Sequence, residues 1–411
     1  MTRGAELRAN WRLVVAGALG FGFGLSGLPF YTFGVFVEPL SHAFGWKIAA
    51  IQAGLTVSYL TTMLLLPTIG GLVDRLGPRR VALTSVCLFS LAFMLLAVQT
   101  GSLWQFYLTW FLIALSGTGT LAVTWSRVTN GAFKSARGLA LGLALLGSGV
   151  MGVVGPPVAA ALVAALGWRA AYAILGLSPL LIAFPVIHAF LRPVHTAGTA
   201  TVAQAEGLTL AQALRTPQLW IIGVSFLFIA GGVAGLIPNL IKIQTSAGGS
   251  RATATFAASL VGVFVILGRV SCGALMDRVW APVVAAIYLC LPAGACLLLT
   301  QPGLGPGGSA LAAACIGLAA GAEMDLLPYL VSRYFGLGRF GAILGFASAF
   351  FYLGASAGGL SLGAVYDITG SYRPALMTCA VLFLISVGGL LALGPYPNLP
   401  RLAEEPAPVD L

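Results

Sequence analysis

The segment GGLVDRLGPRR, residues 70–80, is a short arginine-rich loop between two long apolar runs. A second segment of the same kind, GALMDR, occupies residues 273–278 and again follows an apolar run. The two align at a distance of 203 positions, which pairs Asp74 with Asp277 and Arg75 with Arg278. Such an internal match at long range suggests that the chain contains two similar halves.

Two further matches keep nearly the same distance. Leu141-Gly142 pairs with Leu344-Gly345 after 203 positions, and GWRAA at 167–171 resembles GSYRPA at 370–375, with Arg169 and Arg373 separated by 204. Three matches in one order indicate a duplication. Because each half supplies an even number of apolar runs, the halves are expected to be parallel repeats related by an axis along the membrane normal.

The composition assigns these runs to a membrane. Hydrophobic residues make up 59% of the 411-residue chain and charged residues only 8%, whereas soluble domains carry roughly 25% charged residues. Runs of this length predict transmembrane helices, since lipid leaves backbone groups no partner outside the segment. Twelve are predicted, at about 13–38, 48–73, 81–100, 103–126, 137–165, 168–190, 218–241, 253–276, 281–300, 308–332, 340–366 and 374–394.

The basic residues predict the orientation. With a cytoplasmic N-terminus, fifteen of the 21 Lys and Arg residues fall in inner segments and five in outer ones, and Arg269 is left inside a helix. This asymmetry favours an inner (plasma) membrane protein with both termini cytoplasmic. The predicted fold class is therefore an all-α membrane protein, with twelve transmembrane helices in two pseudo-symmetric six-helix bundles. The bundles cover residues 1–190 and 218–411, and a polar cytoplasmic linker covers 191–217.

Several classes of function are not favoured. The net charge of +10 is scattered between apolar runs, with no basic stripe that would bind nucleic acid. The six cysteines form no CxxC pair, and the three histidines have no metal-ligand spacing, so we predict no metal site, no cofactor and no catalytic residues. The chain is therefore not expected to be an enzyme, and a monomer is the predicted state.

The loop at 70–80 resembles the signature G-x-L-x-D-R-x-G-x-R-R of the major facilitator superfamily, and GSGVMGVVGPP at 147–157 is similar to its glycine-proline motif. The resemblance implies a transporter driven by gradients. It also implies a gating loop in which glycine permits close helix packing, the aspartate caps or pairs at a helix end, and arginines clamp the cytoplasmic face. The matching residues are Gly71, Asp74, Arg75, Arg79 and Arg80, with Asp277 and Arg278 in the second half.

A narrower resemblance is to the monocarboxylate transporters and oxalate–formate antiporters. It rests on YTFGVFVEPLSHAFGW (31–46), VILGRVSCGALMDR (265–278) and RYFGLGRFGAILG (333–345). The second stretch is similar to the helix in which those families carry a carboxylate-binding arginine. The chain departs from them at Val265, where the monocarboxylate branch has aspartate. It also has no lysine in residues 13–37 or 340–366, so neither substrate nor coupling ion carries over.

Arg269 is the leading candidate for a substrate contact. It stands within the apolar run VGVFVILGRVSCG, where burying a charge costs about 2.5–3.5 kcal/mol on insertion scales. Its planar guanidinium can hold a carboxylate through two parallel hydrogen bonds. The alternative is a structural ion pair within the second half.

The tenth predicted helix supplies counter-charges, Glu323 and Asp325, at nearly the depth of Arg269. Residues two apart on a helix point in different directions, so only one of them can face the arginine, and the sequence does not say which. A carboxyl balanced between burial and a nearby arginine is a candidate proton-coupling group. A static pair is the alternative.

Three aromatic residues are weaker candidates for the substrate cavity. Phe30 and Tyr31 follow Pro29, where the first helix is expected to unwind, and Tyr329 follows Pro328. Aromatic-belt packing is the alternative for the first two.

These residues together predict a secondary active transporter of a small organic anion, a monocarboxylate being favoured, by proton symport or anion exchange. Its partners would be that anion, a proton or counter-anion, and the lipid bilayer. Efflux of cationic or amphipathic compounds with Glu323 or Asp325 as receptor is one alternative. A membrane sensor that binds ligand without transport is another.

Overall fold

The computed structural model describes residues 3–191 and 207–397, and these form helices joined by short turns. Most of the predicted linker, residues 192–206, and the chain after 397 lie outside the described residues. The described end of the linker, from residue 207, contains one short helix that begins with a capping box between Thr209 and Gln212. The division into domains at 190 and 218 stays a prediction.

The described part of the first half contains nine α-helices. They are α1 (Arg3–Gly22), α2 (Leu28–Phe44), α3 (Ile48–Leu76), α4 (Pro78–Met94), α5 (Leu103–Gly117), α6 (Ala122–Ala132), α7 (Arg137–Leu145), α8 (Gly147–Ser178) and α9 (Phe184–Phe190). The remaining helices are α10 (Leu210–Ala213), α11 (Pro217–Ser246), α12 (Arg251–Met276), α13 (Ala281–Leu289), α14 (Leu291–Leu299), α15 (Pro306–Phe335), α16 (Phe340–Thr369) and α17 (Arg373–Leu391).

Ten helical segments within the described residues are long and apolar enough to cross a membrane. One of them, Arg137–Phe190, has 54 residues and turns at Gly167, whose φ of 78° lies in the left-handed region. This break agrees with the expected boundary between the fifth and sixth spans. The helical membrane architecture is thus as predicted, and the total of twelve stays a prediction.

The first predicted span is two helices with a break at residues 23–27. The expectation that the helix unwinds at Pro29 is wrong, because Pro29 lies in the first turn of α2, where its missing N–H is tolerated. The break comes earlier and depends on glycine. A Cβ on Gly27 would lie 1.8 Å from the carbonyl oxygen of Gly22.

The most extensive contacts between the two halves are made by two helix pairs, α3 with α16 and α7 with α12. Glycines line both contacts. A Cβ on Gly70 would lie 1.8 Å from the carbonyl oxygen of Gly341, and one on Gly138 would lie 2.5 Å from that of Gly273. Small residues let membrane helices approach this closely. We call this end of the molecule the inner end, after the prediction that it faces the cytoplasm.

Candidate functional site

Arg269 lies on α12 in an ion pair with Asp325 of α15. Its Nη1 donates a hydrogen bond to Oδ1 of Asp325 at 3.0 Å. Arg269 is 3% exposed and Asp325 is 0% exposed. The two α-helices place the groups at one depth, as the sequence predicted, and the structure brings Asp325 rather than Glu323 to the arginine.

The pair lies where the two halves meet. The ring of Phe21, on α1, stands 5.9 Å from Cζ of Arg269. On α7, a Cβ at Gly142 would come within 2.8 Å of the backbone carbonyl oxygen of Arg269 and 3.3 Å of Oδ2 of Asp325. Any movement of one half against the other therefore changes the surroundings of both charges.

The ion pair leaves hydrogen-bonding capacity unused. Nε of Arg269 and Oδ2 of Asp325 are buried and have no hydrogen-bond partner among the described residues. Orphaned buried polar atoms are costly and uncommon in folded proteins, so each one requires an explanation. A guanidinium bonded at one nitrogen only has an edge free for an anion.

The side chain of Glu323 faces a cavity and forms no hydrogen bond with Arg269. It is 6% exposed, and its Oε2 has no partner among the described residues. The side chain lines a cavity between the halves, with Leu66 and Leu121 from the first half and Ser348 and Tyr352 from the second. Most of the lining is apolar. Two carboxyls, two positions apart on α15, thus occupy different environments: Asp325 forms an ion pair with Arg269, and Glu323 forms no ion pair within 4 Å among the described residues.

The three aromatic candidates for the substrate cavity lie in different environments. Tyr31 packs on Gly152, where a Cβ would lie 2.8 Å from the tyrosine Cε1, and it lies within electrostatic range of Arg269. Phe30 is 45% exposed and contacts the ring of Tyr31 edge-on at 5.0 Å. The hydroxyl of Tyr329 donates to the carbonyl oxygen of Met276 at 2.8 Å. A substrate could accept a hydrogen bond from the Tyr329 hydroxyl only by displacing this bond. The role of all three aromatic residues in substrate binding stays a prediction.

The predicted gating loop holds the halves together through Asp74. Its carboxylate accepts hydrogen bonds from the backbone N–H of Gly341 at 3.0 Å and Ala342 at 3.1 Å, in the first turn of α16. A carboxylate there satisfies donors that a helix start leaves free. Nε of Arg127 lies 3.7 Å from Oδ1 of Asp74, and Nη1 of the same arginine donates a hydrogen bond to the carbonyl oxygen of Leu337. We call these contacts the first latch.

Asp277 makes the equivalent contact in the opposite direction. It accepts from the N–H of Gly138 at 2.7 Å and Leu139 at 3.1 Å, in the first turn of α7. Burial raises the pKa of Asp277 above its ordinary value, although these two bonds act against the shift. We call this the second latch. The sequence match between Asp74 and Asp277 thus corresponds to matching positions in the structure.

The other members of the predicted loop make no contact between the halves that the structure describes. Arg79 donates to the carbonyl oxygens of His188 and Leu191, within the first half. Three further arginines are exposed to solvent: Arg75, Arg80 and Arg278. The prediction that Gly71 permits close helix packing is wrong. Apart from the backbone of its own helix and its chain neighbours, no atom of the described residues lies within 4 Å of the position its Cβ would occupy, and the neighbouring Gly70 makes the close contact instead.

Sequence reasoning missed three residues at the inner end. Arg127 belongs to the first latch, and Arg3 and Glu6 lie beside the second. All three are charged residues close to predicted inner ends of helices. The excess of basic residues on the cytoplasmic side already accounts for Arg3 and Arg127 there. Composition therefore gave no signal that they join distant segments.

Comparison with known sequences agrees with this geometry. The sequence model of the Major Facilitator Superfamily matches residues 19–359. Monocarboxylate transporter 13 of Bos taurus is 26% identical over 363 residues, which cover 88% of this chain and 84% of that protein. The oxalate:formate antiporter of Oxalobacter formigenes is 25% identical over 240 residues, covering 57% of this chain and 56% of the antiporter.

Among solved structures, the fucose:proton symporter of E. coli superposes with a TM-score of 0.70 at 13% identity. The match covers 93% of this chain and 98% of the symporter. At that identity the similarity shows the fold alone.

Proposed function

The chain belongs to the major facilitator superfamily of transporters, and from that premise we propose that it carries a small organic anion, a monocarboxylate in the first instance. The proposed mechanism is secondary active transport by alternating access, coupled to proton symport or to exchange of a second anion. Its relatives include monocarboxylate transporters and an oxalate:formate antiporter, which supports this substrate class. The members of this family are transporters, not enzymes.

The observation that carries the proposal is the free edge of Arg269. Its guanidinium is buried, uses Nη1 for Asp325 and leaves Nε without a partner among the described residues. A substrate carboxylate placed along this edge would supply the missing acceptors and add a second negative charge to one arginine. Protonation of Asp325 would then relieve the repulsion, and this is how the pair would couple anion binding to proton uptake.

Uptake of labelled monocarboxylates into proteoliposomes tests the proposal. We expect Arg269→Ala to abolish uptake. Arg269→Lys should retain part of it, since lysine keeps the charge and loses the planar fork. Arg215→Ala, an exposed arginine outside the site, is the matched control. Undiminished uptake by Arg269→Ala would overturn the proposal.

The same vesicles distinguish symport from exchange. A pH gradient should drive accumulation in a symporter with an empty lumen, whereas an exchanger requires an anion loaded inside. Uptake that responds to neither gradient would contradict secondary active transport.

A second candidate, efflux of cationic or amphipathic compounds, is favoured by Glu323. Its carboxyl has an oxygen with no hydrogen-bond partner among the described residues, and it lines a largely apolar cavity, which is a suitable receptor for a cation. Transport of organic cations that is lost in Glu323→Gln but kept in Arg269→Ala would support this function over the first.

A further inference from the structure

We infer that residues 3–6 form an N-terminal strap that closes the second latch, with Arg3 acting between the two halves as Arg127 does in the first. The inference concerns the opening of the inner end and does not depend on which substrate is carried. It starts from a difference between two latches that are otherwise alike.

In the first latch, an arginine contacts both the capping aspartate and a carbonyl in the loop before the capped helix. Arg127 approaches Asp74 and donates to Leu337, four positions before Gly341. In the second half Arg333, near the inner end of α15, lies over the ring of Tyr396 instead, with Cζ 4.4 Å from the ring centre.

The second latch obtains its arginine from the N-terminus. Nε of Arg3 donates to the carbonyl oxygen of Ser135 at 3.1 Å, in the loop before α7. Nη2 of the same side chain donates to the backbone carbonyl oxygen of Asp277 at 2.5 Å. Like Arg127, Arg3 therefore bonds a carbonyl in the loop before the capped helix, but it reaches the capping aspartate at its backbone carbonyl and not at its carboxylate. Its bond to Asp277 joins the first half to the second.

Glu6 fixes the strap in place. Its carboxylate accepts hydrogen bonds from the N–H groups of Lys134 at 2.7 Å, Ser135 at 3.0 Å and Ala136 at 2.9 Å, and from the Ser135 hydroxyl at 2.7 Å. The residue is 8% exposed. Burial opposes ionisation, but these four bonds outweigh it and lower the pKa of Glu6. The loop leading into α7 is thus ordered around one carboxylate.

The spacing of the two residues makes them a unit. Arg3 and Glu6 are three apart on α1, so they share one side of the helix. Glu6 binds the loop of its own half, while Arg3 crosses to Asp277. When the inner end opens, Asp277 must leave the start of α7, and the bond between Arg3 and Asp277 must break with it. The strap therefore favours the closed inner end.

Hydrogen exchange measured by mass spectrometry on the full chain in lipid nanodiscs tests the strap. In Arg3→Ala, the amides of Gly138 and Leu139 should exchange about tenfold faster, as the loss of a charge-assisted bond implies. The amides of Gly341 and Ala342 in the first latch should keep their rate, and they serve as the internal reference. Arg8→Ala, an exposed arginine on the same helix, is the matched control.

A second variant separates the role of Glu6, which binds the loop of its own half, from the role of Arg3, which crosses to Asp277. Glu6→Gln should speed exchange at Lys134, Ser135 and Ala136 as well as at Gly138. The inference is overturned if Arg3→Ala exchanges like the unchanged protein at Gly138 and Leu139. It is equally overturned if both latches loosen to the same extent, because that result would mean general destabilisation.

Discussion

At the residue scale, one buried arginine and two carboxyls define the centre of the molecule. Arg269 and Asp325 neutralise each other, while Glu323 has no ionic partner among the described residues. Removing one member of a buried pair leaves an uncompensated charge, whereas removing both restores neutrality. Stability and transport should therefore respond differently to single and double substitutions.

The first prediction uses this difference. Asp325→Leu should lower the free energy of unfolding by about 3–5 kcal/mol, because Arg269 then remains charged and unpaired. The double variant Arg269→Leu with Asp325→Leu should recover most of that loss and still fail to bind the anion. Thermal unfolding of the purified variants, with and without monocarboxylate, checks both parts. A double variant that remains as unstable as the single one would contradict this view of the pair.

The second prediction concerns Glu323. Glu323 is the alternative to Asp325 as the group that takes up the coupled proton. On that alternative, Glu323→Gln should still exchange labelled for unlabelled substrate at equal concentrations but should no longer accumulate it against a gradient. Counterflow and pH-driven uptake in the same vesicles check this. Glu38→Gln is the control, since that carboxyl is exposed beside His42. Full pH-driven accumulation by Glu323→Gln would exclude the residue from coupling.

The sequence could predict part of this centre. Counting residues along helices of known rise placed Arg269, Glu323 and Asp325 at one depth. The choice between the two carboxyls required the rotation of α15 about its axis, which depends on packing against α12 and α7. No periodic pattern in a helix surrounded by apolar neighbours reveals that rotation.

At the element scale, glycines determine how closely the two halves approach. Gly70 on α3 and Gly341 on α16 each leave space for the other's backbone, and Gly345 does the same against Leu66. Because a methyl group on Gly70 would lie 1.8 Å from a carbonyl oxygen, the helices would have to separate to accommodate it. The closed inner end should be very sensitive to this position.

The third prediction compares two adjacent glycines. Gly70→Ala should shift the protein toward an open inner end. Gly71→Ala should have little effect, because its Cβ would meet no other segment of the described structure within 4 Å. Distances between spin labels on Leu76 and Val279, which are exposed near the inner ends of the two halves, would report the shift. Equal distances in both variants would contradict the role assigned to Gly70.

Gly70 and Gly71 also show a limit of predicting helix contacts from a sequence motif. The loop signature includes Gly71, and the resemblance implied that this glycine packs closely. Helix α3 turns by about 100° per residue, so adjacent positions face different neighbours. The position that faces α16 can only be found once the partner helix is known.

At the scale of the whole molecule, the duplicated halves form two latches of similar geometry with different arginines. The repeat in the sequence predicted the equivalence of Asp74 and Asp277. It could not predict Arg3 and Glu6, because neither residue lies in the segments that match between the two halves. Their contacts, across more than 120 positions of sequence, arise only from the folded arrangement.

The fourth prediction is the pH dependence of the strap. Because the pKa of Glu6 is lowered from its ordinary value of 4.5, the contribution of this carboxylate should be complete above pH 4.5 and be lost as the pH falls through the lowered pKa. Between pH 6 and 8 the protection of residues 134–136 should therefore be constant, after correction for intrinsic exchange. Hydrogen exchange at several pH values checks this, with Glu6→Gln as the reference.

Asp277 should act in the opposite sense, because its raised pKa means that the closed latch binds a proton more readily than the open one. Mild acid should therefore protect Gly138 and Leu139 before it weakens the contacts of Glu6. Loss of protection at residues 134–136 near neutral pH would contradict the assignment.

The position of the strap has a practical consequence for purification. An affinity tag fused ahead of residue 3 would crowd the carbonyl groups of Ser135 and Asp277 with foreign polypeptide. Such a fusion would be expected to alter which conformations the purified carrier samples, and ligand screens carried out on it would report on the altered mixture. Cleaving the tag before any assay would remove that bias.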